Sequence, residues 1–202
     1  MRVSAPIELP AEAFAELEGF YATPPRAYHN YAHVQEVLKH FSEAGEGVGW
    51  DRPIEPYLAV LYHDAIYEAG RKDNETRSAE LAVDRIAHWL PGCGVDAARV
   101  AHLIDLTARH GQLRADQVDR DATLFLDCDM AILGTEPAVF DAYDRGIAAE
   151  YRHVPGWLFK LNRRRFLKAL LEKERIFLSD FFHARYDAQA RANLRRAINT
   201  KR

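Results

Sequence analysis

Four residues of this chain could together hold a metal ion. They are His33, the adjacent pair His63 and Asp64 thirty residues later, and the distant Asp129. Two imidazoles and two carboxylates suit a borderline-to-hard divalent cation such as Mn, Fe, Co, Ni or Zn. Such a donor set leaves coordination positions open for water and substrate, which favours hydrolysis over a purely structural metal.

Helical periodicity indicates how these side chains are oriented. We expect His33 in the first turns of a helix that Asn30 caps, on a stripe of apolar residues. A second helix, expected over about residues 55–67, turns His63 into the core and places Asp64 about 100° round the axis. An unpaired buried carboxylate is costly, so Asp64 needs a cation or hydrogen-bond donors.

The fourth candidate ligand has a neighbour of the same type. A helix expected over residues 119–133, ending at Gly134, carries both Asp127 and Asp129. Asp129 shares the apolar stripe of this helix, whereas Asp127 lies roughly 200° away. Helical phase therefore selects Asp129 as the inward carboxylate and directs Asp127 towards another helix or the edge of the site.

The elements that must position these residues are helices throughout. Apolar residues recur at helical spacing, no window alternates as a strand would, and loops rich in Gly and Pro separate the segments. The expected helices cover about residues 10–21, 30–41, 55–67, 75–90, 96–110, 119–133, 135–151, 157–178 and 187–202. We predict one all-α domain over residues 1–202, a helical bundle with its core at about 20–180 and a helical C-terminal extension at about 181–202.

Composition excludes several classes of protein. The chain has 202 residues, of which 48% are hydrophobic and 28% charged, as in an ordinary globular protein. The net charge of −3 argues against a dedicated nucleic-acid surface. Two cysteines without CxxC spacing indicate a reduced compartment. Since there is neither a membrane-length apolar run nor the apolar segment of a signal peptide, we expect a cytoplasmic protein with no membrane partner.

The wider context of the four candidate ligands carries a family resemblance. The stretches concerned are YHNYAHV at 28–34, LYHDAIY at 61–67, DNETRSAELA at 73–82 and LFLDCDMAILG at 124–134. Their order and the H…HD…D pattern resemble the HD-domain superfamily of metal-dependent phosphohydrolases, and within it a bacterial family whose substrate is undefined. The resemblance covers roughly residues 20–180.

This resemblance implies a fold, a metal and a reaction class. It implies a single-domain HD-type helical bundle in which His33, His63, Asp64 and Asp129 bind Mn, Fe, Co, Ni, Zn or Mg at the centre. It implies hydrolysis of a small phosphorylated substrate, for which a nucleotide is one option. Neither the substrate nor the oligomeric state follows from it.

Three residues are candidates for proton transfer or water activation. Asp64 could orient the attacking water, and Glu75 or His110 could serve as general acid or base. Each of the latter two has a simpler reading. Glu75 could support the start of a helix, and a charged His110 could interact favourably with the C-terminal end of one.

The candidates for substrate binding lie in two places. Arg26, Tyr28, His29 and Asn30 precede His33 in a constrained loop that could form a pocket wall, although Asn30 could instead only cap its helix. Arg163 and Arg165 belong to a run of three arginines, a residue that suits bidentate phosphate recognition. Consecutive arginines point in different directions on a helix, so only one or two of them can serve a pocket. A solvated face is the alternative for this run.

Two other functions are compatible with the same residues. The chain could be a metal- or nucleotide-binding sensor without hydrolytic activity. It could also be a di-iron HD-type oxygenase, which needs more ligands than the four, with His110 and Glu75 as the obvious supply.

Overall fold

The helical fold expected from the sequence is confirmed. A computed structural model describes residues 5–22 and 26–199, and these ranges contain helices but no strand. The α-helices are α1 Ala11–Tyr21, α2 Tyr31–Gly47, α3 Ile54–Tyr62, α4 Asn74–Trp89, α5 Ala97–Thr107, α6 Arg120–Met130, α7 Pro137–Glu150, α8 Gly156–Glu172 and α9 Asp180–Asn199. Three 3-10 helices cover His110–Gln112, Ala115–Gln117 and Ala131–Gly134.

Helix α3 lies at the centre of the bundle. Its sequence, IEPYLAVLY, is apolar on nearly every side, and all its residues from Glu55 to Tyr62 are buried. A helix without a polar face has to be surrounded by other elements. Helices α2, α4, α5 and α6 contact it. The end of α3 is therefore held deep inside the protein.

Several helices begin at the capping residues that the sequence predicted. The side chain of Asn30 accepts a hydrogen bond from the backbone N–H of Ala32 at 2.9 Å. Asp96 and Asp119 cap α5 and α6 in the same way. Each such cap contributes about 1 kcal/mol to helix stability. These starts were predictable because a capping bond joins residues two or three positions apart.

The prediction that the third helix runs to residue 67 was wrong about its C-terminal end. Helix α3 ends at Tyr62, and His63 is its C-cap. The backbone N–H of Asp64 donates a hydrogen bond to a group on another helix, the hydroxyl of Tyr21 in α1, at 3.3 Å. The chain therefore turns at the His63–Asp64 pair instead of carrying it on a regular helix.

The last helix is longer than the sequence indicated. Helix α9 begins at Asp180, and its residues Phe182, Ala190 and Leu194 are completely buried in the hydrophobic core. The segment that we expected as an extension thus packs into the bundle. Among the described residues, no helix is both long and apolar enough to cross a membrane.

Gly134 is required for a reason different from the predicted one. It does not end a helix in the left-handed conformation, because its φ is not positive. It follows α6 in a 3-10 turn that packs closely on α9. A Cβ placed on Gly134 would lie 2.6 Å from Cβ and 2.7 Å from the carbonyl oxygen of Tyr186. Close approach of two backbones therefore explains this glycine.

We expect Gly134→Ala to lower the free energy of unfolding by about 2 kcal/mol, because α9 must move to make room for the methyl group. Denaturant unfolding measures this change. Gly19→Ala in α1 is the matched control, since its Cβ would meet nothing within 4 Å. The control should be neutral or stabilising by up to about 1 kcal/mol. Equal unfolding midpoints for the two variants would contradict the steric role of Gly134.

Candidate metal centre

Carboxylate oxygens of Asp64 and Asp129 both lie close to the facing imidazole nitrogens of His33 and His63. His33 Nε2 lies 3.1 Å from His63 Nε2 and 3.2 Å from Asp129 Oδ1. His63 Nε2 lies 3.2 Å from Asp64 Oδ2, and the two remaining histidine–aspartate distances are 3.6 Å. Atoms that share an ion at bond lengths near 2.1 Å lie roughly 3.0–3.5 Å apart. The spacing therefore fits a common cation.

The four side chains come from three helices that pack on one another. His33 lies in the first turn of α2, the His63–Asp64 pair at the end of α3 and Asp129 in the last turn of α6. The break after Tyr62 allows two adjacent side chains to reach the same point. The C-terminal ends of α3 and α6 carry partial negative charge, which also favours a cation there.

A backbone contact determines which nitrogen of His63 faces the centre. Its Nδ1 lies 2.9 Å from the carbonyl oxygen of Val60 and donates a hydrogen bond to it. The neutral ring therefore keeps a lone pair on Nε2, as metal-binding histidines do.

The electrostatics of the cluster call for a positive charge. Burial disfavours the charged form of His63, but Asp64 and Asp129 outweigh it and raise the pKa of His63 well above its usual value. Burial likewise works against ionisation of the two carboxyls, yet the imidazoles hold the pKa of Asp64 and of Asp129 well below the usual range. Two ionised carboxylates thus face two imidazoles. A proton or a metal cation satisfies them.

Asp127 faces away from this cluster, as helical phase indicated. It is completely buried, and its carboxylate accepts hydrogen bonds from Leu178 N, Ser179 N and Ser179 Oγ at 2.7, 2.7 and 2.6 Å. Burial raises the pKa of Asp127 to about 7 although these donors oppose the shift. This carboxylate fastens the segment before α9 to α6.

His110 is buried near the cluster. It begins the 3-10 helix after α5, and neither of its ring nitrogens has a hydrogen-bond partner in the part of the chain that the structure describes. Burial lowers the pKa of His110 to about 4, against the opposing influence of Asp129. The ring is therefore neutral at pH 7, which disfavours the alternative of a charged histidine at a helix end.

The stretch around Glu75 holds the loop that follows the His63–Asp64 pair. Asn74 exchanges two 3.0 Å hydrogen bonds with the backbone of Glu68, and Ser78 Oγ accepts one from Ile66 N at 3.0 Å. Glu75 itself is half-buried in the first turn of α4. Its carboxylate makes no hydrogen bond or ion pair with another described residue.

Arg26 links the two loops at the centre. Its guanidinium donates to the carbonyl oxygens of His29, Asp64 and Ala65 at 3.2, 2.9 and 2.9 Å. These bonds tie the loop before α2 to the turn after α3. Arg26 therefore positions backbone here, whereas the sequence had indicated a substrate-binding residue in a pocket wall.

The other candidates before α2 have different roles. Asn30 caps α2 and, with Tyr28, also lines a cavity beside His33 and Asp129, as predicted for a pocket wall. The half-buried ring of Tyr28 lies between His33 and Tyr143, with ring centroids 4.8 and 4.7 Å away. Tyr28 thus packs directly against a candidate ligand.

The structure separates the two arginines of α8. Arg163 Nε lies 3.1 Å from Asp144 Oδ1, and its guanidinium stacks over the ring of Tyr143 at 5.0 Å. Arg165 is exposed. The rings of Tyr143 and Tyr28 lie between Arg163 and the metal-ligand cluster, so neither arginine reaches the cluster directly.

Sequence reasoning missed one pair of residues beside the centre. His29 Nδ1 lies 2.6 Å from Glu150 Oε2, and the other oxygen of Glu150 accepts hydrogen bonds from Tyr28 N and His29 N at 2.7 and 3.0 Å. The His29 ring stacks on Tyr67 at 4.0 Å and lies 6.0 Å from the ring of His33. His29 stood out only as part of a pocket wall, and Glu150 lies 121 positions further along the chain.

Burial favours the neutral form of Glu150, but His29 and the two backbone donors hold its pKa below the usual range. The carboxylate is therefore ionised and fixes His29 in one orientation. His29 Nε2 makes no hydrogen bond with any described residue and remains available to a bound molecule.

No protein-family model, no curated protein and no solved structure matches this chain.

Proposed function

We propose that this chain is a metal-dependent phosphohydrolase of the HD superfamily that acts on a small phosphoester or nucleotide. The observation that carries the proposal is that the imidazole nitrogens of His33 and His63 lie 3.1 Å apart, each within 3.2–3.6 Å of a carboxylate oxygen of Asp64 and of Asp129. Ionised carboxylates in such a cluster need a cation, and these donors suit a divalent metal.

The exposure of the four ligands favours a catalytic over a structural metal. The side chains of His33 and His63 are 3% and 1% exposed, whereas those of Asp64 and Asp129 are 17% and 22% exposed. The carboxylate side of the cluster thus opens towards solvent. Structural metal sites are closed, while catalytic ones keep a position for water or substrate. A divalent cation bound there would lower the pKa of a water molecule and polarise a phosphoryl oxygen.

The protein's own proton donor in this proposal is His29. Glu150 accepts the Nδ1 proton, so the ring donates from Nε2 when it carries a second proton there, at the far side of the ring. When the phosphorus–oxygen bond breaks, the electron pair stays on the leaving oxygen, which takes that proton. Water supplies the new oxygen on phosphorus, and the proton that it releases restores His29 through solvent.

We assign this role to His29 in preference to Glu75. A buried carboxylate orients His29, and its ring lies beside that of His33. Glu75 has no such support from a described residue. Burial disfavours the charged form of His110, so this ring is a poorer proton donor than His29. Asp64 orients the attacking water from the open side of the cluster.

The direct test combines metal analysis with a substrate panel. Purified protein is reconstituted separately with Mn, Fe, Co, Ni, Zn and Mg and assayed against phosphomonoesters, phosphodiesters and nucleotides. We expect bound metal and at least one ester that is hydrolysed only in its presence. Stable metal binding without turnover of any ester would instead support a sensor. Two irons per chain with an iron-dependent oxidation would support an oxygenase.

A further inference from the structure

A second cavity lies away from the metal-ligand cluster. It has a volume of about 710 Å³ and is enclosed by α7, α8, the turn between them and the end of α9. The lining residues that matter here are Tyr151, Arg152, Phe159, Lys160, Arg163 and Arg164. Cavities of roughly 300–1,000 Å³ are typical of small-molecule sites.

The charge of this cavity is one-sided. Among the described residues that line it, four side chains are cationic and one, Asp144, is anionic. Asp144 already pairs with Arg163, at 3.1 Å between Oδ1 and Nε. Like charges gathered in a concave site with low-dielectric walls create a strong local potential. An anionic ligand would relieve this repulsion.

Arg163 supplies a second, independent observation. Its guanidinium lies between the rings of Tyr143 and Phe166, at 5.0 and 5.4 Å from their centroids. Its Nη2 atom is buried and has no hydrogen-bond partner among the described residues. Buried donors in native proteins are nearly always satisfied, so this donor of a cavity-lining side chain lacks an acceptor.

The rest of the lining is apolar. Leu167 is buried beneath the cavity, and Phe159 and Ile198 are half-buried at its sides. An inorganic anion alone would leave this apolar surface without a partner. It suits a ligand whose charged group is attached to an apolar or aromatic body.

We propose that this cavity is a second binding site, which takes a phosphorylated small molecule with an aromatic group, such as a nucleotide. Arg163 and Arg164 bind the phosphate, and the aromatic group lies against Phe159 and Leu167. This site is separate from the metal-ligand cluster and does not depend on the proposed hydrolysis.

The test uses ATP as probe, titrated into the full chain by calorimetry in a buffer with EDTA, so that no metal takes part. We expect saturable binding of one ATP per chain. Arg164→Glu should weaken it by at least about tenfold, because the change removes one phosphate contact and adds a repulsive charge. The matched control is Arg165→Glu, an exposed neighbour that does not line the cavity. It should alter the Kd by less than about threefold, because its charge lies in solvent outside the cavity and is screened there.

Two further titrations show whether ATP binds in this cavity and whether its aromatic group contributes. Asp64→Ala should bind ATP as the wild type does, because the metal-ligand cluster takes no part. Pyrophosphate should bind the wild type more weakly than ATP, since it lacks the aromatic group. The proposal is overturned if the wild type shows no saturable ATP binding, if both arginine variants lose it equally, if Asp64→Ala abolishes it, or if pyrophosphate binds as tightly as ATP.

Discussion

Asp64→Ala is expected to abolish metal-dependent turnover, with a loss of at least about 1,000-fold, because it removes a metal ligand and a group that orients water. Metal content per chain, measured by elemental analysis after dialysis, should fall in parallel. The fold should survive, because Asp64 is partly exposed and its carboxylate pairs only with His33 and His63 among the described residues. A variant that kept full metal content and activity would remove Asp64 from the centre.

Asp127→Ala is the matched control for this experiment. Asp127 lies two positions from Asp129, but its carboxylate holds Leu178 and Ser179. The substitution leaves the donors of Leu178 and Ser179 without an acceptor, so the free energy of unfolding should fall by about 3 kcal/mol. Metal should still bind at temperatures where the variant is folded. The two substitutions thus separate loss of a ligand from loss of stability.

His29→Ala is expected to impair hydrolysis selectively, according to the leaving group. p-Nitrophenol leaves readily as an anion, whereas phenol, with a pKa of about 10, needs a proton as it departs. Turnover of phenyl phosphate should fall by about 100-fold or more, the usual contribution of a general acid. Turnover of p-nitrophenyl phosphate should fall by less than about tenfold. Initial rates on the two esters, with the same bound metal, measure the difference.

Glu150→Gln should show the same selectivity in a milder form, because a neutral amide orients His29 but stabilises its charged form less. This distinguishes a positioning role from a structural one, since loss of folded protein would slow both esters equally. Equal losses on the two esters would remove His29 as the proton donor while leaving the metal-dependent reaction intact. Absence of turnover in the wild type would instead contradict the proposed function itself.

The sequence by itself determined the features that depend on neighbouring residues. The all-α fold follows from the helical spacing of apolar residues, and the starts of α2, α5 and α6 from capping side chains that act two or three positions away. The same periodicity separated Asp129 from Asp127, because residues two positions apart on a helix face different directions. It also turned His33, His63 and Asp129 inward, three of the four side chains that the structure brings together.

Only the tertiary structure decided what each inward side chain meets. Asp127 is more deeply buried than Asp129, yet it binds backbone donors from a segment about 50 positions later in the chain. Helix α3 stops at Tyr62 because groups from other helices, such as the hydroxyl of Tyr21, bind the backbone beyond it. The helix propensity of neighbouring residues does not predict such contacts.

The pairing of His29 with Glu150 is the clearest case. A motif marks His29, but a carboxylate 121 positions away leaves no trace in the local sequence. Arg26 likewise has the chemistry of a phosphate ligand and is instead occupied by three carbonyl oxygens. Residue type and spacing therefore specify which groups could react, whereas the packing of distant helices specifies which of them are free to do so.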